Sequence, residues 1–181
     1  MASNTCEINI GRLLEIRVAA GYHSVRDIER MIGMMQAHFG KLGPRERYVI
    51  VADWRNVAMM SPDTAVRAKE MLTRSNPRVI RSSILTLPER SLANLQVLRL
   101  VREAESDGRR HFTSPIEQHR WLSEVLTEPE QARLAEFLDL ANEVDERPAQ
   151  GVTPTAPLAR ASMRPAAAGA TPTGHRAPRA R

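Results

Sequence analysis

Apolar residues at even positions, Ile8, Ile10, Leu14, Ile16 and Val18, run through residues 7–19. Period two is the signature of a half-buried strand. Gly11 interrupts the run and Gly21 closes it, so the segment reads as one bulged strand or as a hairpin of two short ones. The period then lengthens. Val25, Ile28, Ile32, Met35 and Phe39 predict a helix over 24–42, with Ser24 as N-cap and Asp27 at its third position. Gly40 and Gly43-Pro44 stop it. Residues 48–52, Tyr-Val-Ile-Val-Ala, form a continuous apolar run rich in β-branched residues and ending at Asp53, the pattern of a central strand buried on both faces.

The second half repeats the alternation. Ser61 as N-cap and Pro62 at the first helical position open a helix that reaches about Arg74. A strand is predicted over 79–87, a third helix over 91–106 closed by Asp107-Gly108, and a short strand over 110–113 around Phe112. Ser114-Pro-Ile-Glu117 and Thr127-Glu-Pro-Glu130 have the form of capping boxes. They start a fourth helix carrying Trp121, Leu122 and Val125, and a fifth with Leu134, Phe137, Leu138, Ala141 and Val144 on one face. Alternation of this kind predicts an α/β fold with a mainly parallel central sheet, right-handed crossovers and flanking helices. The expected organisation is a disordered N-terminus at 1–6, an α/β domain at 7–126, an additional C-terminal helix at 127–146 packed on it, and a tail at 147–181.

Composition separates the tail from the body. The tail holds six of the 12 prolines, one leucine, six of the 26 basic residues and no acid. It cannot bury enough apolar surface to offset the entropy of ordering, and a disordered Pro/Ala/Arg-rich segment is expected. Residues 1–146 then carry 20 basic and 21 acidic groups, so the formal net charge of +5 belongs to the tail. Its arginines give it weak attraction for anionic surfaces. Without dense charge clusters or interleaved aromatics, no specific nucleic-acid partner is expected. The single cysteine, Cys6, forms no internal disulfide, and no apolar run reaches the length of a signal sequence or a membrane span. A cytoplasmic location is the expectation.

Several pieces together resemble the STAS domain (sulfate transporter and anti-sigma-factor antagonist), in its divergent SpoIIAA-like group. These are the opening strand region, Tyr48-Val-Ile-Val-Ala-Asp53, Val57-Ala-Met-Met60 leading to Ser61, the 80–85 strand, and Phe112-Thr-Ser-Pro-Ile-Glu-Gln-His-Arg-Trp-Leu122. The resemblance covers roughly residues 7–126. It implies a STAS-like fold that works by binding proteins, or sometimes small ligands, with no catalysis. It also implies a serine at the start of the second helix, switched by phosphorylation within an Asp-Ser-Ser-Gly type turn. Here the turn reads Ser61-Pro-Asp-Thr64, and the register places Pro62 where the family has its serine. Ser61, one residue earlier, is the remaining candidate for phosphorylation.

The candidate partner-binding residues are therefore Asp53, Trp54, Arg55, Ser61 and Asp63, in the loop 53–63 and the start of the second helix. Ligands of open α/β sheets bind at the carboxyl ends of strands, and Trp is enriched at binding hot spots. Each has a plainer reading: Asp53 paired with Arg55, Trp54 packed on the body, Ser61 an ordinary N-cap. The third helix carries two apolar rows. One is Leu92, Leu95 and Leu98; the other is Ala93, Val97, Leu100, Val101 and Ala104. Two rows exceed one packing stripe. Either the fifth helix covers the excess, or Val97, Leu100 and Val101 mark an oligomer surface. The pairs Met34-Met35 and Met59-Met60 are core filler or adaptable partner surface.

The histidines, with His119 placed on the outer part of the fourth helix, lack metal-site spacing. No phosphate loop, nucleophile elbow or Cys–His dyad is recognisable. No catalytic residue, metal or cofactor is expected. Three functions stay open: a regulatory protein-interaction module with a protein partner, an assembly protein whose partner is itself, and a lipid or small-ligand binder.

Overall fold

The computed structural model describes residues 3–140, leaving out 42 and 44. Its chain order is β1 (Thr5–Ile8), β2 (Leu13–Arg17), α1 (Val25–Phe39), β3 (Tyr48–Asp53), α2 (Pro62–Ser75), β4 (Val79–Leu85), α3 (Ser91–Glu103), β5 (Arg109–Phe112), α4 (Pro115–Ser123) and α5 (Glu128–Phe137). A short 3₁₀ turn, Asn76–Arg78, joins α2 to β4. The five strands lie in sequence order in one sheet. β1 and β2 are antiparallel and every later pair is parallel. The architecture is α/β, as the alternation predicts.

Because each parallel connection steps one strand in the same direction, connections of one hand place α1, α2 and α3 on one face of the sheet. The two apolar cores follow from that. On one face, Ile28 and Met31 of α1, Met71 and Leu72 of α2, and Val97 and Leu100 of α3 pack on Leu14, Ile16, Ile50, Ala52 and Ile84. On the other, Trp121 and Leu122 of α4 and Leu134 and Phe137 of α5 pack on Leu13, Val49, Val51 and Leu85. Neighbouring strand residues feed opposite cores, so the central strands read as unbroken apolar runs.

The opening segment is the hairpin, with Gly11 at φ +53° in its turn. β2 is buried on both faces instead of half-buried, because α5 lies under it. Its one carboxylate, Glu15, is matched there by Arg133, with contacts of 2.8 and 2.7 Å. The expected disorder of 1–6 is corrected at its end. Thr5 and Cys6 belong to β1, and the Asn4 side chain donates to Gly21 O (3.0 Å) and accepts from Ala20 N (2.8 Å).

The helix starts are local and strong. Asp27 accepts from Ser24 N and Ser24 Oγ, both at 3.0 Å. Glu130 accepts from Thr127 N at 2.8 Å and from Thr127 Oγ1 at 3.0 Å. Its other oxygen reaches across the chain to Arg12 N at 2.8 Å, tying α5 to the hairpin turn. Such caps contribute about 1 kcal/mol each. At Ser114 half of the predicted box is seen: its hydroxyl accepts from Glu117 N. α1 ends at Phe39 and α3 at Glu103, each three residues earlier than predicted. Glu105, at φ +50°, breaks the latter.

One packing expectation is overturned. α5 packs on α4 and β2, on the sheet face opposite α3, and so does not cover α3. Ala141, Val144 and the 147–181 tail lie outside the described residues.

Candidate functional site

Asp53 ends β3, where the parallel strands release the chain into the loop toward α2. Its carboxylate is buried and occupied by its own neighbours. Arg55 donates Nε to Oδ1 and Nη2 to Oδ2, both at 3.0 Å, and its backbone N–H to Oδ1 at 3.1 Å. Arg17 adds Nη1 to Oδ2 at 3.3 Å. Arg17 also donates to Phe137 O at 2.9 Å and stacks on the Phe137 ring, 4.7 Å from its centroid. The carboxylate thus ties β2, β3 and the end of α5 together, and the two arginines balance its buried charge.

Trp54 is 2% exposed, packed edge-on against Tyr22 with ring centroids 5.2 Å apart. It is a core residue. The expectation that Asp53 and Trp54 touch a partner is corrected: both side chains lie beneath the surface, and Arg55, half-buried, is held by Asp53.

The loop comes to the surface at Asn56, dips at the buried Val57 and is exposed again at Ala58 and Met59. Met59 is 65% exposed while Met60 is buried, so the pair divides between surface and core. The backbone of Met60 is clasped by the Gln96 side chain of α3. Met60 N–H donates to Oε1 at 2.8 Å, and Nε2 donates to Met60 O at 2.9 Å. Ser61 caps α2, its hydroxyl 2.9 Å from Thr64 Oγ1, and both Ser61 and Asp63 are exposed. One helical turn on, Val66 is 59% exposed. Between α2 and α3 runs an open cleft of about 680 Å³, lined by Met59, Val66, Lys69, Gln96, Arg99 and Glu103. Glu103 accepts there from Lys69 (3.4 Å) and Arg99 (2.6 Å).

On α3 the two apolar rows separate cleanly. Val97 and Leu100 are buried in the core and Val101 packs half-buried against it, which corrects their assignment to an oligomer surface. The row that faces out is Leu92 (69% exposed), Leu95 (63%) and Leu98 (36%).

On the α2 side of the sheet, Arg109 is a buried cation that meets no carboxylate among the described residues. It donates to Ser82 Oγ (2.7 Å), Leu72 O (3.0 Å), Ser75 Oγ (3.1 Å) and Asn76 Oδ1 (3.1 Å). Three of these acceptors lie at the C-terminal end of α2, where the helix dipole is negative. Burial lowers the Arg109 pKa to about 10. Among the described residues Arg109 Nε, Tyr22 OH and Trp54 Nε1 find no hydrogen-bond partner, and all three residues line a small cavity of about 20 Å³. That is room for about one water molecule, far below the few hundred cubic ångströms of a ligand pocket.

His119 is half-buried with Nε2 3.3 Å from Gln131 O of α5, so it faces inward rather than outward. Cys6 is buried in β1, and burial pushes its thiol up to about 12. Among the described residues, no group of three His, Cys, Asp or Glu side chains is placed to hold a metal. No helix among them is long and apolar enough to cross a membrane. No family model, curated protein or solved structure matches this chain.

Proposed function

We propose that this chain is a STAS-like, non-catalytic protein-interaction module of bacterial cytoplasmic regulation. It docks a partner protein through the outer part of the loop 53–63 and the start of α2. The observation that carries the reading is the exposure of Met59 and Val66 at the mouth of the α2–α3 cleft. Large aliphatic side chains grouped on a surface mark contact sites. The loop that presents Met59 is anchored twice, by the Asp53–Arg55 clamp below and by Gln96 beside it. A loop held in this way loses little entropy on docking. The fitting partner offers apolar side chains to Met59 and Val66 and polar groups to the Lys69–Glu103–Arg99 cluster.

Ser61 is the regulatory position in this reading. A phosphate on it would sit at the positive end of α2 yet beside the exposed Asp63, adding about −2 charge to the docking surface. The test is affinity purification of the full-length protein from its own cells beside a Met59→Glu/Val66→Glu variant. A partner captured by the first and lost from the folded second supports docking here. A partner retained by the variant contradicts it.

A further inference from the structure

The leucine row of α3 borders that site, with Arg99 lining the clefts on both sides, and it carries a pattern of its own. Leu92, Leu95 and Leu98 are spaced three residues apart, which aligns them along one side of a helix. An acid stands before the row at Glu89 and a base stands after it at Arg102, both exposed. Neither side chain forms an ion pair or side-chain hydrogen bond among the described residues. The leucines are symmetric about Leu95, with Leu92 and Leu98 three residues to either side, while Glu89 in the turn before the helix precedes it by six residues and Arg102 in the last turn follows it by seven.

We infer that α3 is a two-fold self-association surface, on which a second copy of this chain packs its own α3 antiparallel about Leu95. A two-fold interface must be self-complementary. An antiparallel copy meets that requirement at every position of the row. Leu95 faces Leu95 of the partner subunit, and Leu98 faces Leu92 of the partner subunit. Arg102 faces Glu89 of the partner subunit, and the symmetry makes this pair twice. The shallow cleft of about 400 Å³ between Leu95, Leu98, Arg99 and Arg102 is the seat for Leu92 of the partner subunit. A parallel copy would set Arg102 beside Arg102 and Glu89 beside Glu89, which like-charge repulsion disfavours.

The experiment is light scattering after size exclusion on the full-length protein over a concentration series, with three sets of variants. Leu95→Glu places two carboxylates at the two-fold axis and weakens the dimer more than about 100-fold. Glu89→Arg and Arg102→Glu each turn two attractions into two repulsions and weaken it about tenfold. The double swap Glu89→Arg/Arg102→Glu restores it, a recovery that misfolding cannot produce. A wild type that stays monomeric at about 1 mM, or a dimer that survives Leu95→Glu, overturns the proposal. Partner capture is read on the same variants. Capture that persists in monomeric Leu95→Glu separates this surface from the Met59–Val66 site, so either reading can fail without the other.

Discussion

The guanidinium of Arg55 grips the carboxylate of Asp53 two residues earlier, with Nε–Oδ1 and Nη2–Oδ2 both at 3.0 Å. The Asp-Trp-Arg sequence at the end of β3 is therefore a structural clamp with its Trp turned into the core, and the adjoining surface is carried by Met59 and Val66. This divides the loop into an inner, stabilising part and an outer, exposed part. The first prediction follows from the division. Asp53→Ala removes the carboxylate to which Arg17 and Arg55 both donate and costs about 2 kcal/mol. Trp54→Ala costs about 3–5 kcal/mol through the cavity it opens. Met59→Ala and Val66→Ala stay within about 0.5 kcal/mol of wild type. Urea unfolding of the four variants checks the contrast, and equal losses at all four positions would refute it.

Gly11 and Glu130 supply the second. Gly11 takes φ +53°, and a Cβ there would collide with Glu130 Oε1, the atom that accepts from Arg12 N. Gly11→Ala is expected to cost about 1–3 kcal/mol. In a Glu130→Ala background the collision is gone and only the backbone strain remains. A double-mutant cycle therefore returns a coupling of at least about 0.5 kcal/mol. Purely additive losses would show that the carboxylate and the turn do not meet.

Arg109 gives the third. Arg109→Met strands Ser82, Ser75, Asn76 and the Leu72 carbonyl without their shared donor and loosens the end of α2. The expected loss is about 2 kcal/mol. Arg109→Lys does not restore it, because an ammonium lacks the planar fork that reaches four acceptors at once. Full recovery by lysine would show that charge alone matters there.

The fourth concerns alkaline pH. The unfolded chain gives up the Cys6 thiol proton near pH 9, whereas the folded chain keeps it to about 12. The folded state then binds more protons than the unfolded one, and stability present below pH 9 is lost as pH rises toward 12. The slope from one such proton is about 1.4 kcal/mol per pH unit. Tyr22, raised by burial, adds loss in the same direction above its usual value near 10. Cys6→Ala flattens the fall between pH 9 and 10 in unfolding titrations, and an unchanged slope would exclude Cys6 as its source.

Much of this architecture was legible because local signals and long-range packing agree. The Tyr48–Asp53 strand carries its burial in its residue types, and Ser24, Ser61 and Thr127 mark helix starts through their own side chains. The site was less legible. Period and spacing separate the two rows of α3 but do not say which faces the sheet. Whether the other row is then covered depends on where α5 lies, and α5 falls on the other face. In hindsight Ala93 and Ala104 hold the answer, since small residues at the ends of a row permit close approach to a sheet. Trp54 misled because its type fits both a hot spot and a core. Gln96 and Arg109 gave no sequence signal at all, because the partner of Gln96 lies 36 residues away in the chain and those of Arg109 lie 27 to 37 away.

The proposed docking site is tested most directly by placing a photo-crosslinking residue at Met59 of the full-length protein in its own cells, beside a control at Arg120 on the exposed side of α4. A discrete crosslink to a different protein from position 59 and none from position 120 is the predicted result. No protein crosslink from position 59, or the same crosslinks from both positions, would contradict the assignment of a docking surface to this loop.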